Sequence, residues 1–239
     1  YHVKNIWEPG AVYRVKVYQD FVAAAAAEAG ATYHTVADVP QNRIVDVFNA
    51  TVTFPATVTC ETFAEGEHAV LGDKAAFDVL FADASHYEDP NQNSLVLRVQ
   101  LGSRSLLLTG DAESGARQLP AKEPGETEEA LLLRHKAALD VDILQVAHHG
   151  SLSSSRRAFL DAVSPQWALI GAGPKNYRGV VLPDPEIVSA LFEVLPSRDR
   201  LLRTDVHDAE PCPRADRVGV DDDHPGGCDN AILTIGLPP

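Results

Sequence analysis

The stretch Val141-Asp142-Ile143-Leu144-Gln145-Val146-Ala147-His148-His149-Gly150-Ser151 decides the reading of this chain. Its apolar, β-branched first part predicts a buried strand over 140–147. The strand ends abruptly, delivering two imidazoles, a flexible backbone and a hydroxyl to one point. Adjacent side chains on a strand point to opposite faces, so both histidines can face one site only if the strand has already ended. Gly150 suits such a break. Upstream, Ser105-Leu106-Leu107-Leu108-Thr109-Gly110-Asp111 does the same with a carboxylate. Two buried strands that each end in a metal-ligand residue type point to a metal site at the edge of a sheet.

Working outward, the sequence predicts an α/β chain. A helix is expected from Asp20 through the alanine run 23–27, with Gly30 past its end. Short strands are expected over 35–39, 43–48, 50–54, 56–62 and 77–82. Residues 94–101 and 105–109 read as a hairpin around Gly102-Ser103-Arg104. A short helix is predicted over 113–120, a polar linker over 122–127 and a helix over 128–139. Beyond the histidines come a helix over 153–163 with a serine cap, a buried strand over 165–171 and a loop over 172–185. A helix over 186–195 and a strand over 200–204 follow. An irregular acidic insertion at about 205–228 and a closing strand over 230–235 complete the pattern. Strands alternating with helices in the second half indicate α/β layers. The 239 residues suit one large domain or two small ones, and the absence of a clear linker favours a single domain over 1–239.

The bulk numbers exclude several classes. A formal net charge of −14 disfavours a general nucleic-acid binder, because phosphates need cationic partners. It leaves room for a nuclease that meets phosphate through bound cations, since a metal inverts the local electrostatics. No apolar run approaches a membrane-spanning length. Three cysteines, Cys60, Cys212 and Cys228, form no CxxC pattern and no disulfide framework, although Cys212 and Cys228 flank one loop and could pair there. The chain opens on Tyr1 and contains no methionine, as a processed chain or fragment would.

Each candidate has a plain structural alternative. Asp111 is either a carboxylate able to bridge two cations or a cap for the helix predicted after it. Of the two histidines, one would bind metal and the other would hold a phosphate oxygen or shuttle protons. The alternative is one core histidine with a hydrogen-bonded neighbour.

From Asn93-Ser94-Leu95-Val96-Leu97 through Thr109-Gly110-Asp111 to His148-His149-Gly150-Ser151, the sequence resembles the metallo-β-lactamase fold. Within it the match is to the hydrolase domain of the competence protein ComEC and its stand-alone relatives. The run Pro165-Gln166-Trp167-Ala168-Leu169-Ile170-Gly171, then Asn176-Tyr177, and the opening Ile6-Trp7-Glu8-Pro9-Gly10 continue the likeness. The resemblance implies an αββα sandwich and a site for two divalent ions, zinc or manganese, that activates water. Carried over, Asp111 becomes the bridging ligand, and His149 or His148 a ligand of the second metal. His148 is also the candidate catalytic residue. Asn93, Ser151 and Asn176 would bind substrate.

The sequence departs from that pattern in two places. The family's first metal motif, HxHxDH or HxDxDH, should precede Trp7-Glu8-Pro9-Gly10 and is absent, so the sandwich is expected to be incomplete at its N-terminus. After Tyr177, Arg178-Gly179-Val180 stands where relatives often carry Gly-His-Pro. Asp221-Asp222-Asp223-His224-Pro225-Gly226-Gly227 resembles half of the missing motif, which makes Asp223 and His224 possible extra ligands. The expected function is metal-dependent hydrolysis of a phosphoester, with DNA as a possible substrate. The rival expectation is a catalytically defective remnant of the fold that serves as a binding or interaction module.

Overall fold

A computed structural model describes residues 2–13, 15–36, 44–47, 50–173, 176–177 and 179–206. The chain divides into two units, Tyr1–Glu67 with Val79–Leu95 and His68–Asp78 with Val96–Pro239.

In the first unit, β1 (Asn5–Glu8), β2 (Thr32–Thr35) and β5 (Thr59–Thr62) form a parallel sheet in the order β1-β2-β5. Helix α1 (Lys16–Ala27) connects β1 to β2, and β3 (Ile44–Val47) pairs antiparallel with β4 (Ala50–Thr53). Val22 and Ala25 of α1 pack with Tyr33, Phe54 and Val58 in one buried cluster. The strand predicted over 35–39 lies earlier, at β2; residues 37–39 fall outside the described part.

A seven-stranded sheet lies in the second unit except for Val79–Phe81, which fall in the first. Its strands are β6 (His68–Val70), β7 (Ala75–Phe81), β8 (Val96–Leu101), β9 (Arg104–Leu108), β10 (Ile143–Gln145), β11 (Trp167–Ile170) and β14 (Leu201–Arg203), in the order β14-β11-β10-β9-β8-β7-β6. The predicted β8–β9 hairpin is present and antiparallel. From β9 onward the pairing is parallel, with Leu107 beside Leu144 and Leu144 beside Ala168. These three residues are fully buried, as expected of parallel strands covered by helices. The crossovers run through α2 (Glu126–Arg134), α3 (Arg157–Val163) and α4 (Pro185–Val194). Phe159, Leu160 and Val163 of α3 and Ile187 and Leu191 of α4 are buried by their apolar faces. The architecture is therefore mixed α/β, helices with a multistranded sheet, as the sequence predicts.

Several boundaries differ from expectation, each for a tertiary reason. No helix forms over 113–120. The carbonyls of Ala116 and Gln118 accept from the Arg156 guanidinium, and the Ser114 and Gln118 amides donate to Ser153 and Leu152. These long-range bonds take groups that a helix would pair internally. Helix α2 starts and stops earlier than 128–139, giving way to a short turn at Lys136–Ala138. Strand β10 keeps only three residues of the predicted 140–147. The helix expected over 153–163 begins at Arg157, without a serine cap. The 172–185 loop contains a small antiparallel hairpin, β12 (Asn176–Tyr177) with β13 (Val180–Val181). The acidic insertion beyond 206, the closing strand, Cys212, Cys228, Asp223 and His224 lie outside the described residues. Among the described residues no helix is long and apolar enough to cross a membrane.

Candidate functional site

Because β9, β10, β11 and β14 are parallel, their C-terminal ends share one edge of the sheet, the edge where open α/β sheets hold ligands. Gln145 joins the first two tips. Its Oε1 accepts from the Thr109 and Gly110 amides at 2.9 and 3.1 Å, and its carbonyl accepts from the Thr109 hydroxyl at 2.7 Å. The His148 amide then donates to the Gly110 carbonyl at 3.1 Å. Gln145 was not singled out in the sequence, yet a polar residue interrupting Ile143-Leu144-Gln145-Val146-Ala147 was the signal for it.

Beyond Gln145 the strand is over. His148 (φ 45°, ψ 46°) and His149 (φ 54°, ψ 22°) both adopt left-handed conformations, and Gly150 follows at φ 80°. Such a conformation costs a non-glycine residue about 1 kcal/mol or more. Gly150 is required twice over, since a Cβ there would stand 2.6 Å from the Cβ of Pro183. This turn lets adjacent imidazoles diverge by 67° with centroids 6.3 Å apart instead of pointing to opposite faces of a strand.

The two imidazoles have different partners. His149 Nδ1 lies 2.5 Å from the Gly171 carbonyl at the tip of β11. A carbonyl only accepts, so Nδ1 carries the proton and donates. Nε2 then faces Asp111 Oδ1 at 3.5 Å, with both side chains about half exposed. Either a second ring proton or a cation reconciles these two acceptors. Donors bound at about 2.0–2.2 Å to a tetrahedral cation stand about 3.3–3.6 Å apart, so the pair has the spacing of two ligands of one ion. Asp111 caps no helix, because none follows it. Among the described residues no group of three or more His, Cys, Asp and Glu side chains is arranged for a metal. Further donors to such an ion would be water or substrate.

His148 is turned the other way. Its Nδ1 lies 2.6 Å from Oε1 of Glu113, a carboxylate only 7% exposed, and 3.0 Å from the Ser153 hydroxyl. Ser153 Oγ contacts Ser151 Oγ at 2.9 Å, and Ser151 Oγ accepts from Arg117 Nη1 at 3.0 Å. Arg117 Nη2 donates to both oxygens of Asp184, at 2.6 and 2.8 Å, and Asp184 also accepts from the Leu152 amide. Arg117 thus shares one nitrogen between the two carboxylate oxygens and gives the other to Ser151, so the charge-assisted contact ties Asp184 to the serine. Ser151 is thus buried behind His148, inside this network.

Glu128 supports the same segment from α2. It is fully buried and accepts from the backbone amides of Ser155 and Arg156, so it caps the start of α3 in place of the predicted serine. Burial raises its carboxyl from the ordinary range to about 7, against the lowering effect of those amides, Ser114 and Arg156. The same burial lowers the Arg156 guanidinium.

Asn93 belongs to the first unit, where its amide donates to the carbonyls of Asp83 and Ser85 at 2.6 and 2.8 Å and accepts from the Tyr13 hydroxyl at 2.5 Å. Asn176 is exposed and accepts from the Gly179 amide at 2.6 Å across the β12–β13 turn. The structure therefore brings together Asp111, His148, His149 and Ser151. Sequence reading missed Glu113, Arg117, Glu128, Gln145, Ser153 and Asp184. Glu113 stands two residues after Asp111 and Ser153 in the serine run, which were the available signals.

No family model matches the chain. It is 35% identical over 104 residues to the "Competence protein ComA" of Neisseria gonorrhoeae, covering 44% of this chain and 14% of that protein. It is 34% identical over 100 residues to "ComE operon protein 3" of Bacillus subtilis (strain 168), 42% of this chain and 11% of the relative. It is 37% identical over 86 residues to "Recombination protein 2" of Haemophilus influenzae, 36% of this chain and 9% of the relative. The matched stretch thus spans about a tenth of these relatives. The chain is similar to competence-related proteins of the ComEC kind over part of its length.

Proposed function

We propose that the second unit is a metallo-β-lactamase-type hydrolase in a ComEC-like role, acting on phosphoesters at the tips of β9 and β10. The observation that carries this reading is the Asp111–His149 pair, 3.5 Å apart with the far ring nitrogen anchored on Gly171. Asp111 and His149 would hold one divalent ion, zinc or manganese. When bound, such an ion lowers the pKa of a coordinated water and stabilises charge on a phosphoryl oxygen. It also offsets the −14 net charge locally, which would otherwise repel an anionic substrate.

The chain's own residues then have separate tasks. Gly171 fixes the tautomer of His149 by accepting from Nδ1, the usual arrangement behind a metal-ligating imidazole. Gln145 fixes the spacing of the two tips. His148, one quarter exposed, would hold or move a proton at Nε2. The similarity to competence and recombination proteins favours a phosphodiester, DNA included, over other esters.

The test is calorimetric titration of the full chain with Zn²⁺ and with Mn²⁺, followed by hydrolysis of bis(p-nitrophenyl) phosphate. Asp111→Ala and His149→Ala should each weaken cation binding by at least about 100-fold and remove hydrolysis. Cation affinity unchanged by both substitutions would overturn the metal-site reading. Tight binding by these residues without any hydrolysis would favour a non-catalytic binding module.

A further inference from the structure

We infer that Glu113 is the positioning residue of His148, holding its ring as the Nδ1–H tautomer so that the lone pair lies on Nε2. Three observations carry this. Glu113 Oε1 lies 2.6 Å from His148 Nδ1, and the Glu113 side chain is 7% exposed. A carboxylate so removed from water needs donors, and an imidazole N–H is a strong one. The His148 backbone is already fixed by its amide bond to Gly110 and by its left-handed turn, so the remaining freedom is rotation of the ring. Ser153, the second neighbour of Nδ1, has its hydroxyl against Ser151 Oγ as well, in a chain of contacts that runs to Arg117 and Asp184.

The consequence rests on the hydrolase reading. With Nδ1 committed to Glu113, His148 and His149 present the same nitrogen, Nε2, by opposite means. A buried carboxylate sets the tautomer of His148, and a backbone carbonyl sets that of His149. Glu113 belongs to the turn that carries Asp111, so that turn would orient one imidazole while offering a ligand beside the other.

Ring-nitrogen NMR of the full chain at pH 8 tests the tautomer directly, with His148 signals identified by their loss in His148→Gln. The unmodified chain should show His148 protonated at Nδ1. Glu113→Ala should move most of that population to Nε2–H, Glu113→Gln should hold it nearer the original state through its remaining acceptor oxygen, and Ser153→Ala should leave it at Nδ1–H. An Nε2–H tautomer in the unmodified chain overturns the inference whatever the Glu113 variants do. So does a switch caused by Ser153→Ala and not by Glu113→Ala. In the hydrolysis assay Glu113→Ala should lower kcat by about tenfold with KM nearly unchanged. A tautomer switch in a chain that neither binds cation nor hydrolyses the probe would sink the hydrolase reading while supporting this one.

Discussion

Histidines meet carboxylates in both units, with opposite results. In the first unit His34 sits inside strand β2, and its ring stacks on Trp7 at 3.9 Å and 11°. Asn5 and Glu61 engage its nitrogens at 3.0 and 3.5 Å, and the residue is 7% exposed. Burial holds its imidazole below the ordinary value, against the raising effect of Glu61 and Glu67. Glu8 next door accepts from the Gly10 amide and the Tyr33 hydroxyl and is itself buried. In the second unit His148 and His149 lie past the end of β10, on strained backbone, with His149 half exposed. His34, within its strand, is packing, whereas His149, beyond the last hydrogen bond of its strand, is presented. The price is conformational strain, which glycine would avoid.

The sharpest way to break this contrast is to disturb the turn itself. Gly150→Ala combines a forbidden approach to Pro183 with a left-handed backbone. It should destabilise the chain by about 3 kcal/mol in urea unfolding. A loss under about 1 kcal/mol would show that the turn is softer than its geometry implies.

Next comes the packed histidine. His34→Ala removes a stacked, buried ring and should cost about 2 kcal/mol by the same measurement. No loss would mean that His34 is not the structural counterpart drawn above.

Glu128 gives a pH signature to the support behind the presented pair. Its carboxyl is raised from 4.5 to about 7 in the fold, so the native state holds a proton that the unfolded chain releases. The stability from this group is complete at low pH and is lost as pH rises from about 4.5 through 7, an effect on the order of 3 kcal/mol. Glu128→Gln should flatten that part of the profile, compared as urea midpoints at pH 5 and pH 8. An unchanged slope would remove Glu128 as its source.

The smallest effect has the opposite sign. His149→Gly should stabilise the chain by up to about 1 kcal/mol, because glycine accepts φ 54° without strain, though its greater unfolded freedom offsets part of the gain. The same variant should lose cation affinity in the calorimetric assay. Destabilisation instead would place His149 with His34 as a packing residue.

Much of the second unit could be read directly. Strands β8, β9 and β11 and helix α4 follow from apolar runs closed by turn residues, and the hairpin from its Gly102 turn. The convergence of Asp111 with the histidines follows from two such strands ending alike. The segments misread were those whose backbone partners are distant. Residues 113–120 have helical composition but hand their carbonyls to Arg156, and the serines of 151–155 look like caps but bond to His148, Ala147 and one another. The strand over 140–147 was overextended because Val146 and Ala147 are as buried and apolar as Leu144, and burial alone does not mark where pairing ends.

Sequence alone determined which residue types arrive at the sheet edge, because strand length, apolar runs and glycine breaks are local properties of the chain. The tertiary structure decided the pairing: Asp111 with His149, Glu113 with His148, and Glu128 with the start of α3. Those choices depend on the register of parallel strands joined through long crossovers, and on three successive left-handed residues whose conformation is held by packing against Pro183 and by the hydrogen bond to Gly110.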